Sequence, residues 1–199
     1  MPHPSARDRI LQEGLKVACT KGFCRVTFGA VARRAGVSKS GIVAHFPSME
    51  DLKMAIIDRA MELWDDACFP PARESLSGLA ALTRYLKDWI RWTKQAGLPG
   101  ACPISLAIFE YAYNGGSRNV RIAVAAAEGR WRQTLVDLVN GAIAKSEIPP
   151  NLDSSQMAWD LFGVYLSHRL SCHFLRASDA DQRAQRSVER LLGLARGIG

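Results

Sequence analysis

The side chains able to do covalent or metal chemistry are few and scattered. The cysteines are Cys19, Cys24, Cys68, Cys102 and Cys172. None forms a C-x-x-C pair, and no histidine is read at ligand spacing from them, so neither a metal nor a cofactor is expected. His168 and His173, five residues apart on one predicted helix, fall on different faces and should not share an ion. Cys102, beside Pro103 at a helix start, admits two readings: a thiol activated for redox sensing, or a small buried residue near a turn. No nucleophile–base constellation and no phosphate loop is recognisable, so an enzyme is not expected.

A different chemistry is concentrated between Thr27 and Phe46, in the segment TFGAVARRAGVSKSGIVAHF. Thr27 suits the N-cap of a short helix whose Val31, Ala32 and Ala35 face inward. Gly36 supplies the positive φ of a tight turn, Val37 plugs the angle between two helices, and Ser38 caps the next. Ile42 and Phe46, four apart, give that helix its buried face. Lys39, Ser40, Gly41, Val43 and Ala44 are left outward, and His45 stands at its end. This is the pattern of a helix-turn-helix, whose second helix enters the DNA major groove and offers its first residues to base edges. A basic side chain, a hydroxyl and small apolar groups suit phosphates, base edges and thymine methyls. Two short core helices joined by a glycine turn would give the same spacing.

Charge favours the nucleic-acid reading. The formal net charge is +7. Met1 to Ala60 carries 10 basic and 5 acidic residues, so most of the excess sits in the first third of the chain. No segment has the length and apolarity of a membrane span, nothing at the N-terminus resembles a signal peptide, and a cytoplasmic location is expected.

The elements around this segment are helical throughout, so the expected class is all-α. Ser5 and Asp8 form a capping box for a first helix with the stripe Ile10, Leu11, Leu15, Val17 and Ala18, ending at Gly22 and Phe23. Ser48 starts a helix with Glu50 and Asp51 in its first turn, running to Cys68 ahead of Pro70 and Pro71. Later helices are predicted over 76–96, 104–113, 117–145, from 153 or 154 to 176, and beyond Asp179. The expected organisation is a DNA-binding domain over 1–50 with its helix-turn-helix at 27–46, a connecting helix over 48–68, and a larger helical domain over 69–199.

Three separate motifs, ILQEGLKVACTKGF, VTFGAVARRAGVSKSGIVAHF and PSMEDLKMAIIDRA, resemble the TetR family of transcriptional regulators over Ser5 to about Trp64. Gly100-Ala101-Cys102-Pro103, Glu110 and the surroundings of Trp131 resemble one of its subgroups more faintly. The resemblance implies a helical C-terminal domain that binds a ligand and dimerises. It places Thr27, Lys39, Ser40, Gly41, Val43, His45 and Lys53 where such proteins touch DNA. One departure stands out: Val43 and Ala44 occupy the places where the family usually has a phosphate-touching tyrosine.

Aromatic residues in the middle of the chain are core candidates first. Trp89, Trp92, Phe109, Tyr113 and Tyr165 are also the expected lining of a pocket for a small-molecule effector, and Glu110 is a candidate anchor for a cationic one. The two longest helices, over 117–145 and from 153 or 154 to 176, are expected to pair with their symmetry mates in an isologous homodimer, with Val124, Trp131, Leu135 and Leu138 as the stripe on the first; the stripe could instead face its own domain, and the resemblance favours dimerisation. The function these features suggest is a ligand-responsive repressor that binds a double-stranded operator as a homodimer. The alternative is a ligand-responsive helical protein acting through a protein partner.

Overall fold

The computed structural model describes residues 5–69, 76–113 and 115–195. Among the described residues all regular structure is helical: α1 (Ala6–Lys21), a 3₁₀ turn (Phe23–Arg25), α2 (Phe28–Ala35), α3 (Lys39–Val43), α4 (Met49–Cys68), α5 (Gly78–Gln95), α6 (Pro103–Tyr113), α7 (Arg118–Ala144), α8 (Ser154–His173) and α9 (Ala180–Ala195). They belong to two compact units, one of Met1–Leu63 with Ala96–Glu128, the other of Trp64–Gln95 with Gly129–Gly199. The expected break at Pro70 and Pro71 lies outside the described residues, as does Asn114, which follows the helix expected over 104–113.

The first unit is organised by its helix ends. Ser5 Oγ accepts the Asp8 amide at 3.1 Å and Asp8 Oδ2 accepts the Ser5 amide at 3.2 Å, closing the anticipated box on α1. Ser48 and Asp51 do the same for α4. Glu50, the other carboxylate of that turn, accepts from Ser117 Oγ and from Asn119 Nδ2, which holds its carboxyl below the usual range. All five residues of the α1 stripe are buried, as are Leu52, Ile56, Ile57 and Ala60 of α4.

At the other end of α1 a glycine is required. Gly22 has φ 83°, and a Cβ there would fall on the carboxylate of Glu110. That carboxylate accepts the Cys24 amide at 3.0 Å, so Glu110 fastens the 3₁₀ turn to α6 and is not a free anchor for a ligand. The Cys19 carbonyl, one of those that α1 leaves unpaired, accepts from the Ala101 amide at 3.0 Å. Cys102 then sits fully buried at the start of α6 with its Sγ 3.4 Å from the Ser105 amide. A thiol without solvent access does not suit redox sensing, so the structural reading of Cys102 stands.

The second unit is built on rings. Trp89 stacks on Tyr165 at 4.2 Å between centroids and 4° between planes. Trp131 meets both edge-on or nearly so, and Phe162 and Tyr85 flank Trp89. Trp92 Nε1 donates to the Tyr165 hydroxyl at 3.2 Å. Asp153 caps α8 through the amides of Ser155 and Gln156, and α9 packs along α8.

The α7 stripe faces inward, against expectation. Val124, Trp131 and Leu135 are buried by their own chain, and Leu138 is half-buried. Side chains with no accessible surface cannot meet a second copy, so the first three are core residues. An amphipathic stripe records that a face is buried, not by whom.

Gly100 supplies a stability test. A Cβ at this position would lie 2.2 Å from the Cys19 carbonyl oxygen, a backbone atom that cannot step aside alone. Gly36 has φ 66° but open space around a Cβ. Gly36→Ala should therefore cost about 1 kcal/mol from backbone conformation alone, and Gly100→Ala about 2 kcal/mol or more from overpacking and the strained Ala101–Cys19 bond. Denaturant melts of the two variants check the order.

Candidate nucleic-acid interface

The helix-turn-helix is assembled by caps and two buried side chains. Thr27 Oγ1 accepts the Ala30 amide at 3.1 Å and starts α2. Gly36 is left-handed, and both its amide and that of Val37 bond back to the Ala32 carbonyl. Ser38 Oγ accepts the Gly41 amide at 3.0 Å and starts α3. Ile42 and Phe46 are buried as expected, and the Arg7 guanidinium lies 5.3 Å above the Phe46 ring. Glu13 of α1 binds both Lys16 and Arg34, tying α1 to α2.

α3 is shorter than the sequence suggested. It ends at Val43, where the pattern had carried it to His45. The His45 amide closes on the Ile42 carbonyl at 2.9 Å, a tighter turn than an α-helix makes. Pro47 disfavours helical backbone at Phe46.

Of the residues expected to touch DNA, Thr27, Lys39, Ser40, Val43, Ala44 and His45 are exposed. Gly41 is half-buried, and its missing Cβ would point back at Ser38 Oγ and Val37. Glycine there relieves the cap as much as it opens the outer face. Lys39 lies along Gly29 of α2, its Cε 3.4 Å from where a Cβ would be. Its charge therefore sits near the amide end of α2 as well as on α3. Ser40 shares its hydroxyl with Ser38 at 2.9 Å. Lys53 is half-buried, with Nζ 3.4 Å from the Tyr111 hydroxyl. Burial, then Cys24 and Glu110 nearby, push that phenol up to about 12, so it stays neutral beside the ammonium.

One feature escaped the sequence pattern. A depression of about 460 Å³ next to Thr27 is lined by Val17, Lys21, Cys24, Arg25, Ala30, Arg33 and Arg34, without a carboxylate. Its basic residues come from α1, the 3₁₀ turn and α2, so no single run of the chain displays the cluster. The four-residue step from Lys21 to Arg25 and the Arg33-Arg34 pair were the visible hints.

The expected pocket residues divide. Trp89, Trp92 and Tyr165 come together, buried in the ring cluster of the second unit. Phe109 and Tyr113 belong to the first unit and are exposed. The two histidines have separate partners, as their five-residue spacing implied. His168 meets Cys172, four residues along α8, a spacing that the sequence reading passed over. His173 bonds to Arg169 instead.

Among the described residues no helix is long and apolar enough to cross a membrane. Residues 10–56 match the family described as bacterial regulatory proteins, tetR family, and residues 78–188 match the tetracyclin repressor-like C-terminal domain. The HTH-type transcriptional regulator RutR of Escherichia coli K12 is 32% identical over 81 residues, which is 41% of this chain and 38% of that protein. Among solved structures, a TetR transcriptional regulator from Chloroflexus aurantiacus J-10-FL aligns with a TM-score of 0.80 at 22% identity, covering 94% of this chain and 92% of the other. A TetR-family regulator from Cytophaga hutchinsonii aligns at 0.76 and 18%, covering 99% and 98%. With both halves of the chain matched, over most of its helices, this protein belongs to the TetR family of bacterial regulatory proteins.

Proposed function

We propose that this regulator is a ligand-responsive repressor that binds a double-stranded operator as a homodimer. The observation that carries the reading is the short α3 capped by Ser38: Ile42 and, just past its end, Phe46 are buried, while Lys39, Ser40 and Val43, with Ala44 and His45 after them, face solvent. Lys39, Ser40 and the small side chains after them meet base edges, while Thr27, His45 and Lys53 position the unit on phosphates. The basic depression beside Thr27 adds affinity without sequence preference. Val43 in place of the family's tyrosine lowers affinity, not selectivity. The missing tyrosine is also the one observation favouring the alternative, action through a protein partner.

Dimerisation in this reading uses α8 and α9. Trp159 and Leu170 are 61% and 57% exposed, and with Gly163 and Leu166 they follow a 4-3-4 spacing along one face of α8. Leu194 of α9 is exposed too. Apolar surface of this kind, at coiled-coil spacing, supports an isologous helix pairing.

The effector site falls in the ring cluster of the second unit. The indole N–H groups of Trp89 and Trp131 are buried without a hydrogen-bond partner, and each such orphan costs about 1–3 kcal/mol. An effector with acceptor atoms would recover that cost, but it must open the Trp89–Tyr165 stack to enter. Binding then favours the conformation that admits it over the one that holds DNA.

Two measurements check this. In a mobility-shift titration on the protein's own upstream DNA, affinity should fall steeply with salt, and Lys39→Ala should reduce the slope of log K against log salt by about 1. No shift on genomic DNA at low salt would remove the DNA reading. In sedimentation, Trp159→Glu with Leu170→Glu should convert a dimer into a helical monomer; a wild-type monomer at micromolar concentration would remove the dimer.

A further inference from the structure

The last turns of α8 and the first turn of α9 bring three potential metal donors together. His168 and Cys172, four residues apart, share one face of α8, and Asp181 meets them from α9. His168 is only 5% exposed. Its Nε2 lies 2.7 Å from Asp181 Oδ1 and 3.2 Å from Cys172 Sγ. All three donor atoms lie within 4.8 Å of one another.

Hydrogen bonding alone accounts poorly for this geometry. A relay through imidazole uses both ring nitrogens, one toward each neighbour. Here both neighbours face the same nitrogen, which can donate its proton to Asp181 or accept one from Cys172, but not both. The other nitrogen, Nδ1, is buried with no hydrogen-bond partner. The three donor atoms lie within 4.8 Å of one another, close enough for small side-chain movements to set them around a cation. Nitrogen, thiolate sulfur and carboxylate oxygen together are ligands that divalent zinc accepts.

We propose that His168, Cys172 and Asp181 bind a zinc ion that clips the first turn of α9 to the end of α8, with water in the fourth position. The donors of a tetrahedral zinc lie about 3.5 Å apart. The nitrogen–sulfur edge is already close to that, and the nitrogen–oxygen edge needs to widen by less than about 1 Å. The Asp181 side chain, 62% exposed, has the freedom to move. Binding releases the thiol proton to solvent and leaves Nε2 as an unprotonated ligand. Thiolate and carboxylate then balance the two charges of the ion. A neutral site tolerates its basic surroundings: Arg91 and Lys94 act on Asp181 from α5, and Arg169 is engaged by His173 Nε2 at 2.7 Å.

Cobalt(II) added to the metal-free full-length protein tests this without reference to DNA or effector. One equivalent should produce a thiolate-to-cobalt charge-transfer band and the intense visible bands of a four-coordinate ion, both bleached by one equivalent of zinc. Cys172→Ser should abolish the charge-transfer band. Asp181→Asn, at an exposed position that does not carry the fold, should keep the band but weaken affinity by about tenfold or more. Absence of the band in the wild type overturns the site. So does a band of full strength in Cys172→Ser, which would assign the thiolate to another cysteine such as the exposed Cys24, or an unchanged affinity in Asp181→Asn.

Discussion

A helix of five residues has no stability of its own in water, because nucleation costs more than one turn of hydrogen bonds returns. α3 exists because Ile42 and Phe46 are driven into the core from its inner side and because Ser38 and Gly36 define where it begins. The interface follows from that constraint. With Ile42 committed inward, Lys39, Ser40 and Val43 have only the outer face left to occupy. Left-handed backbone at Gly36 sets the direction in which α3 leaves α2, and Glu13, held by Lys16 and Arg34, sets α2 against α1.

The second unit shows a different economy. Its core is a ring cluster with buried indole N–H groups left unpaired. Such groups are a cost in a protein selected for stability alone. In the proposed function they are the groups that a bound effector would satisfy, so the same residues would be both core and sensor.

Local chemistry in this chain was legible from sequence. Ser5 with Asp8, Thr27, Gly36 and Ser38 act through neighbours three to five residues away, and the structure has them in those roles; Ser48 starts its helix as expected, and the structure adds the reciprocal bonds with Asp51. Tertiary choices were less so. Val124, Trp131 and Leu135 carry the periodicity of a buried face, but nothing in that periodicity names the partner, and the partner is their own chain. Phe109 and Tyr113 have the side chains of pocket residues yet lie at the surface. The basic depression beside Thr27 and the approach of Asp181 to His168 join residues from different elements, so spacing along the chain could not reveal either. The His168–Cys172 half of that cluster was visible as a four-residue step on one helix.

The central claim is that α3 reads the major groove. Dimethyl sulfate protection of upstream DNA bound by the protein tests it most directly, because the reagent reports guanine N7 on the major-groove edge. The account predicts protected guanines in two clusters on one face of the duplex, centred about one helical turn or slightly more apart. Bound DNA whose major-groove guanines all remained reactive would contradict it.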